Sequence, residues 1–310
     1  MDGVLNILKP PGMTSHDVVD FVRWAYGTHR VGHTGTLDPS AAGVLVVCVG
    51  RATRIAQFLS DADKSYRAEL TLGVTTDTED ADGQVLAEAD ASHVSEADAR
   101  AAVEALCDIT EMAPPMHSAV REQGRKLYEL ARAGETVPRR PRPVQIRQAA
   151  LVAMTPGPHG RVLFDVTCSK GTYVRSLCVA VGERLGCGAH MSFLVRTRVG
   201  THRLSEAITL ERITEADPAE RGRFLLTMAE GLAGLPRVDL SEGEASRLCK
   251  GGSVARPASD LPDGQAGETE EPPEAGLVRG HGPDGTLLCV AQLEVSRAGV
   301  CLRPVRVLCT

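Results

Sequence analysis

Residues 4–9 (VLNILK) form an unbroken apolar-rich run ending at Pro10-Pro11-Gly12, so they read as a short buried strand closed by a turn. Thr14 or Ser15 can cap a helix over 16–26, with Val18, Val22 and Ala25 on one face. The polar, Gly-rich stretch 30–43 then reads as a loop, residues 43–50 (GVLVVCVG) as a buried strand and 52–60 as a short helix. Along 64–73, Tyr66, Ala68, Leu70 and Leu72 alternate with Arg67, Glu69 and Thr71, the pattern of a half-buried strand.

Ser95 with Asp98 opens a helix over 96–107, and 124–134 (GRKLYELARAG) forms another ending at Gly134. Residues 144–154 and 161–168 pair as strands across TPGPHG. A helix over 172–186 with Val174, Leu177, Cys178, Val181 and Leu185 inward precedes a strand over 192–200, and a helix around 218–232 ends the large domain. Beyond 237 come one helix (242–250) and strands at 276–280, 286–294 and 300–309. Strand pairs mixed with helices favour α+β over a doubly wound parallel sheet. The expected division is a domain over 1–235 and a small β-rich domain over 236–310.

The 310 residues are 43% hydrophobic and 24% charged, ordinary for a globular chain, and only 3% aromatic, so Val, Leu, Ile and Ala must build the core. No apolar run approaches the ~20 residues that span a bilayer, and no secretory signal is evident, so a cytoplasmic location is expected. The nine cysteines lack C-x-x-C spacing and read as reduced, mostly buried thiols; no zinc or other metal site is expected.

The net charge of −6 speaks against a nucleic-acid partner until it is resolved along the chain. Residues 61–111 carry −11 and 260–275 carry −6, whereas 117–147 and 161–203 each carry +5. The 260–275 stretch is rich in Pro, Gly and Glu and reads as a solvated loop. Of the 34 basic residues 29 are arginine, a bias open to genomic base composition or to phosphate contact. The densest cluster, Arg139, Arg140, Arg142 and Arg147, carries prolines and no apolar period before Val144, which favours an extended arm along a phosphate backbone.

Candidate chemistry concentrates in RVGHTGTLDPSAAG (30–43). Asp38 stands before Pro39 at the foot of a buried strand, a position that holds a carboxylate firmly. The loop lacks both nucleotide-binding glycine fingerprints, and taken alone it is equally a tight turn with an Asp–backbone hydrogen bond. Likewise Arg175 is readable as a helix-surface arginine and Tyr66 as a core aromatic.

GHTGTLDPSAAGVL closely resembles the catalytic motif of the TruB family of tRNA pseudouridine-55 synthases. LNILKPPGMTSHDVV (5–19), DKSYRAELTLGVTTDTEDADGQV (63–85), the insertion PPMHSAVREQGRKLYELARAGETVPRRPRPV (114–144), CSKGTYVRSL (168–177) and LGCGAHMSFLVRTRVG (185–200) resemble further family segments, in order. The likeness covers about two thirds of the chain, and the insertion matches the bacterial form.

The resemblance implies a pseudouridine synthase fold: a mixed, largely antiparallel sheet flanked by helices, with an RNA-gripping insertion at about 110–145. It implies isomerisation of uridine to pseudouridine at position 55 in the T-arm loop of tRNA, by base flipping, with no metal, cofactor or obligate protein partner. Asp38 is then the nucleophile or charge stabiliser, because breaking the sugar–base bond develops positive charge on C1′. Arg175 pairs with Asp38 and keeps it ionised; Tyr66 stacks on the uracil; Tyr173 and Leu194 shape the pocket. His33 fills the space of the extruded nucleotide, Lys9 and Pro10 support the loop and its RNA contact, and Arg139, Arg140 and Arg142 grip RNA. Residues 237–310 resemble a PUA domain, which implies contact with the acceptor end of tRNA. Two other classes remain: a non-catalytic RNA-binding or tRNA-folding protein on the same scaffold, and a small-molecule phosphate-binding enzyme using the 32–43 loop.

Overall fold

The computed structural model describes residues 1–118, 120–122, 124–135, 137–257, 276–296 and 299–309. Strand β1 (Gly3–Lys9) is buried almost throughout and leads into α1 (Ser15–Tyr26). Thr14 and Asp17 cap this helix reciprocally, each side chain accepting from the other's backbone N–H, which satisfies two amides at the helix start. Then come β2 (Val31–His33), β3 (Ala42–Val49), α2 (Ala56–Asp61) and β4 (Lys64–Leu72), the last with the in–out alternation its sequence carries. The hairpin of β5 (Val74–Thr76) and β6 (Val85–Glu88) precedes α3 (Glu96–Glu104). Short pieces follow: β7 (Glu111–Met112), β8 (Arg121–Glu122), β9 (Arg125–Lys126), α4 (Leu127–Arg132) and β10 (Arg142–Pro143). The long elements resume with β11 (Ile146–Thr155), β12 (Arg161–Cys168), α5 (Val174–Arg184) and β13 (Ala189–Val199), then β14 (His202–Arg203), α6 (Leu210–Glu215) and α7 (Met228–Gly231).

The main sheet runs β1-β3-β13-β4-β12-β11, and its neighbours are antiparallel except β3 and β13. This is the expected α+β architecture. Leu70 and Phe164 pack with Leu177 and Val181 of α5 and with Val103 of α3 in one core cluster; Leu5, Ile7 and Leu45 pack with Val18 and Val22 of α1 in another. Strand β1 covers one edge of β3 over residues 43–49, so β13 and β2 must share the other edge. They divide it: β13 takes residues 42–43 and β2 takes 47–49. The residue 34–41 loop rises from the fork between them.

A second sheet, β15-β17-β18-β19-β16, comprises β15 (Arg237–Asp239), β16 (Val254–Arg256), β17 (Gly276–His281), β18 (Leu287–Ser296) and β19 (Gly299–Val307), with α8 (Glu242–Cys249) against it. Val278, Leu293 and Leu302 belong to its own cluster. Leu287, Val290 and Leu308 instead join a cluster with Val44, Val46, Ile55 and Phe58 of the first sheet's layer. Arginines reinforce the seam: Arg51 donates to Leu308 O at 3.0 Å, and Arg279 to Leu235 O at 2.8 Å and Ala229 O at 2.7 Å.

Several expectations change. The 30–43 stretch is not all loop, because β2 pairs with the far end of β3. The 52–60 helix begins as 3-10 helix over Gly50–Ile55. The 124–134 helix is cut to Leu127–Arg132, since Arg125 and Lys126 pair back onto Arg121 and Glu122. The single helix at 218–232 is absent: Leu226 exchanges two backbone hydrogen bonds with Val4 on the edge of β1, and Thr227 caps the short α7 instead. Tertiary pairing here overrides helical periodicity. The cysteines are not all reduced; Cys249, at the end of α8, and Cys309, beyond β19, form a disulfide with Cα atoms 5.9 Å apart, while the other seven are free. The acidic 260–275 stretch lies outside the described residues.

Candidate active site

Asp38 projects from the loop in the β2/β3/β13 fork, its side chain 34% exposed, and Arg175 beside it is only 7% exposed. The guanidinium reaches the carboxylate through Nε at 3.1 Å and NH2 at 3.5 Å. Arg175 is held by Thr78 O at 3.0 Å, His117 O at 2.9 Å and the Asp80 carboxylate at 3.6 Å. Asp80 in turn accepts from the Thr78 hydroxyl at 2.5 Å and from Asp82 N at 3.2 Å. Thus α5, the 77–84 turn and the insertion all fix the arginine that faces Asp38. Burial pushes the Asp38 pKa above its ordinary value, Arg175 pulls it back and Asp80 pushes it up further. Arg175 therefore opposes a desolvation that it does not overcome.

Tyr66 lies on β4 directly across from Arg196 of β13, which faces Gly43 of β3 in the next register. Gly43 has φ +115°, and a Cβ there would collide with the Arg196 backbone, so only glycine lets the two parallel strands close at the fork. The Arg196 side chain, 1% exposed, fills the gap where β3 loses its neighbour: Nε donates to Val44 O at 2.7 Å, NH2 to Gly35 O at 3.0 Å and NH1 to Thr36 O at 3.2 Å. Tyr66 is 8% exposed, and burial raises its pKa while Arg196 lowers it.

Leu194 is buried and Tyr173 half-buried, both in the same apolar layer as Tyr66. His33 is half-buried at the end of β2; its Nδ1 accepts from Gly35 N at 3.3 Å, and burial lowers its pKa, so the ring is neutral at pH 7. Lys9, expected among the RNA contacts, has no exposed surface; its ammonium donates to Met13 O at 2.6 Å, Pro10 O at 2.9 Å and Pro39 O at 3.2 Å. Its reach ends on the loop, one residue beyond Asp38.

The arm arginines stand apart. Arg139 donates to Pro114 O at 3.0 Å, and Arg140 and Arg142 are exposed. Arg142 pairs through its backbone with Met112, so the arm is partly a β-ribbon. The three arginines line a cavity of about 260 Å³ together with Pro114, Val120, Glu122 and Leu127.

Two residues escaped sequence reasoning. Asp80 lies in the T-D-T-x-D segment, whose second acid carried a signal that went unused. Arg196 is two residues beyond Leu194 in a strand, hence on the same face. Among the described residues no cluster of His, Cys, Asp and Glu has the arrangement of a metal site, and no helix is long and apolar enough to cross a membrane.

The site is thus a buried arginine between the carboxylates of Asp38 and Asp80, above a mixed sheet. Residues 23–174 match the model of the TruB family pseudouridylate synthase (N terminal domain), and 175–228 that of the tRNA pseudouridylate synthase B C-terminal domain. The chain belongs to the TruB family of pseudouridylate synthases. It is 53% identical over 251 residues to a tRNA pseudouridine synthase B of Symbiobacterium thermophilum, covering 81% of this chain and 82% of the relative. It is 45% identical over 313 residues to a tRNA pseudouridine synthase B of Moorella thermoacetica, covering 99% of each. Among solved structures, a chain of a Cbf5-Nop10-Gar1 complex superposes with TM-score 0.72 at 26% identity, covering 98% of this chain and 84% of that one. The matched family models stop at residue 228, before the second sheet.

Proposed function

We propose that this protein isomerises uridine to pseudouridine in tRNA, at position 55 of the T-arm loop, with Asp38 as the reacting carboxylate. The observation that carries the reading is the partly exposed Asp38 carboxylate, held by a buried arginine whose remaining donors are engaged by Thr78, His117 and the buried Asp80. In the reaction the C1′–N1 bond breaks and its electron pair leaves on the uracil. Asp38 captures or shields C1′, the base turns, and C5 bonds to C1′. The carboxylate is released, the C5 proton is lost and N1 gains a proton. No redox change occurs.

Tyr66 stacks on the flipped base, Tyr173 and Leu194 wall the pocket, and His33 takes the vacated place in the loop. Flipping costs a few kcal/mol, offset by stacking and by phosphate contacts of Arg139, Arg140 and Arg142. Residues 236–310 form a PUA-like domain that meets the acceptor end through shape and backbone. The position of Asp38, paired with Arg175 yet partly open among buried supports, favours catalysis over an inert RNA-folding role.

The test is to incubate wild type and Asp38→Asn with unmodified T-arm RNA and detect pseudouridine. Wild type converts the target uridine, and Asp38→Asn loses more than about 10³-fold in rate while still binding RNA. Equal activity of the two would remove Asp38 from its role; RNA binding by wild type without conversion would leave the binding reading standing.

A further inference from the structure

Three cations lie beneath the Asp38 loop without a carboxylate against them. Lys9 donates to the carbonyl oxygens of Pro10, Met13 and Pro39, and Arg196 to those of Gly35, Thr36 and Val44, with the Tyr66 hydroxyl as a further neutral partner of the guanidinium. Lys64, 7% exposed at the start of β4, donates to Ala62 O at 2.7 Å and Ser60 O at 2.8 Å, and a Cβ added at Gly35 would touch its Cε. Among the described residues none of the three has a carboxylate within 4.0 Å. The acids nearest Lys64 are engaged elsewhere, Asp61 with Lys170 at 2.7 Å and Asp63 with Arg147 at 3.3 Å. Carbonyl dipoles solvate a cation without neutralising it, and an unneutralised buried charge opposes folding. A fold that gathers three of them under one loop keeps a positive potential there.

We infer that Lys64 and Arg196, together with Lys9, are positioning residues whose unneutralised charge favours the uracil ring as it takes up the glycosidic electron pair. The inference rests on the proposed reaction but not on whether Asp38 bonds to C1′, because the base leaves with the electron pair on either route. The cations act through the loop and Tyr66 rather than by touching the base: Arg196 sits across from Tyr66, and Lys9 holds the carbonyl after Asp38. A field fixed in place before reaction needs no reorganisation as charge develops.

Single-turnover rate, RNA affinity and melting temperature of Lys64→Met, Lys64→Arg, Arg196→Met and Arg196→Lys test this. The methionine variants slow the single-turnover step by about tenfold to a hundredfold, with RNA affinity changed less than about threefold, and the charge-keeping variants recover most of the rate. Equal slowing by methionine and by the charge-keeping residue would make the role geometric and overturn the inference, as would a methionine variant at full rate. A second measurement is independent of folding variants. Lys64 faces Arg196, Cys168, Asp61 and Asp63, and Lys9 faces Asp38, Arg196 and Asp17; burial lowers both ammonium pKa values to about 8. The wild-type single-turnover rate therefore falls as pH rises through about 8, where the lysines lose their protons. A rate that stays level from about pH 8 to 10 overturns the inference. A wild type that leaves every uridine unchanged would remove the proposed function, and this inference with it, before any ratio is read.

Discussion

Arg175 and Arg196 are almost wholly buried and spend their donors on the backbone and carboxylates around Asp38, whereas Arg140 and Arg142 stand in solvent on the insertion. The two groups share a side chain and little else. A guanidinium in a low-dielectric interior acts strongly over short distances, and its planar fork locks the geometry of whatever it holds. An exposed guanidinium is screened within about 8 Å at physiological salt, and serves by adding to a total. Position, more than residue type, thus separates the arginines that hold the Asp38 loop from those left free for a partner.

Breaking the buried group has the largest consequence. Arg175→Met lowers kcat/KM by about 10²-fold or more, because it frees the Asp38 rotamer and leaves the buried Asp80 carboxylate without its cation. The sign of its pH effect is also set: Arg175 lowers the Asp38 pKa, so without it that pKa rises and the acid limb of the remaining activity moves to higher pH. An acid limb moving to lower pH would show that Arg175 does not act on Asp38 through charge. The exposed group gives a smaller and differently shaped effect. Replacing Arg139, Arg140 and Arg142 by Ala weakens RNA binding and lowers the salt slope of log K by about 2, with the single-turnover rate at saturating RNA unchanged within about threefold. An unchanged slope would place the phosphate grip elsewhere. The smallest effect belongs to an exposed ion pair outside both groups. Arg67 meets Asp165 at 2.7 Å across β4 and β12, and Arg67→Ala shifts stability by less than about 1 kcal/mol without altering rate or salt slope. A large loss there would mean that exposure is a poor guide to an arginine's role in this protein.

The long elements were legible because their side-chain pattern is local. Alternation in β4, the N-cap at Thr14, the capping box at Ser95 and the apolar face of α5 all emerge where expected. What escaped depends on partners distant in sequence. β2 exists only because β3 offers it an edge, and the 218–232 helix breaks because Leu226 finds Val4 more than two hundred residues away. The site divides the same way. Asp38 stood out through its loop, and Arg175 and Tyr66 through resemblance, but Arg196 is a support whose meaning appears only when β3 and β13 meet at the fork. The cysteine pair failed for the same reason: 60 residues separate Cys249 from Cys309, and no spacing rule spans them.

Leu287 and Val290 of the second sheet, with Leu308 just beyond β19, pack with Val44 and Val46, on the very strand that carries the Asp38 loop. The terminal module is consequently no detachable accessory. Removing that module would strip the wall behind the strand that carries Asp38, so its loss would be felt in the first sheet as well as in the second.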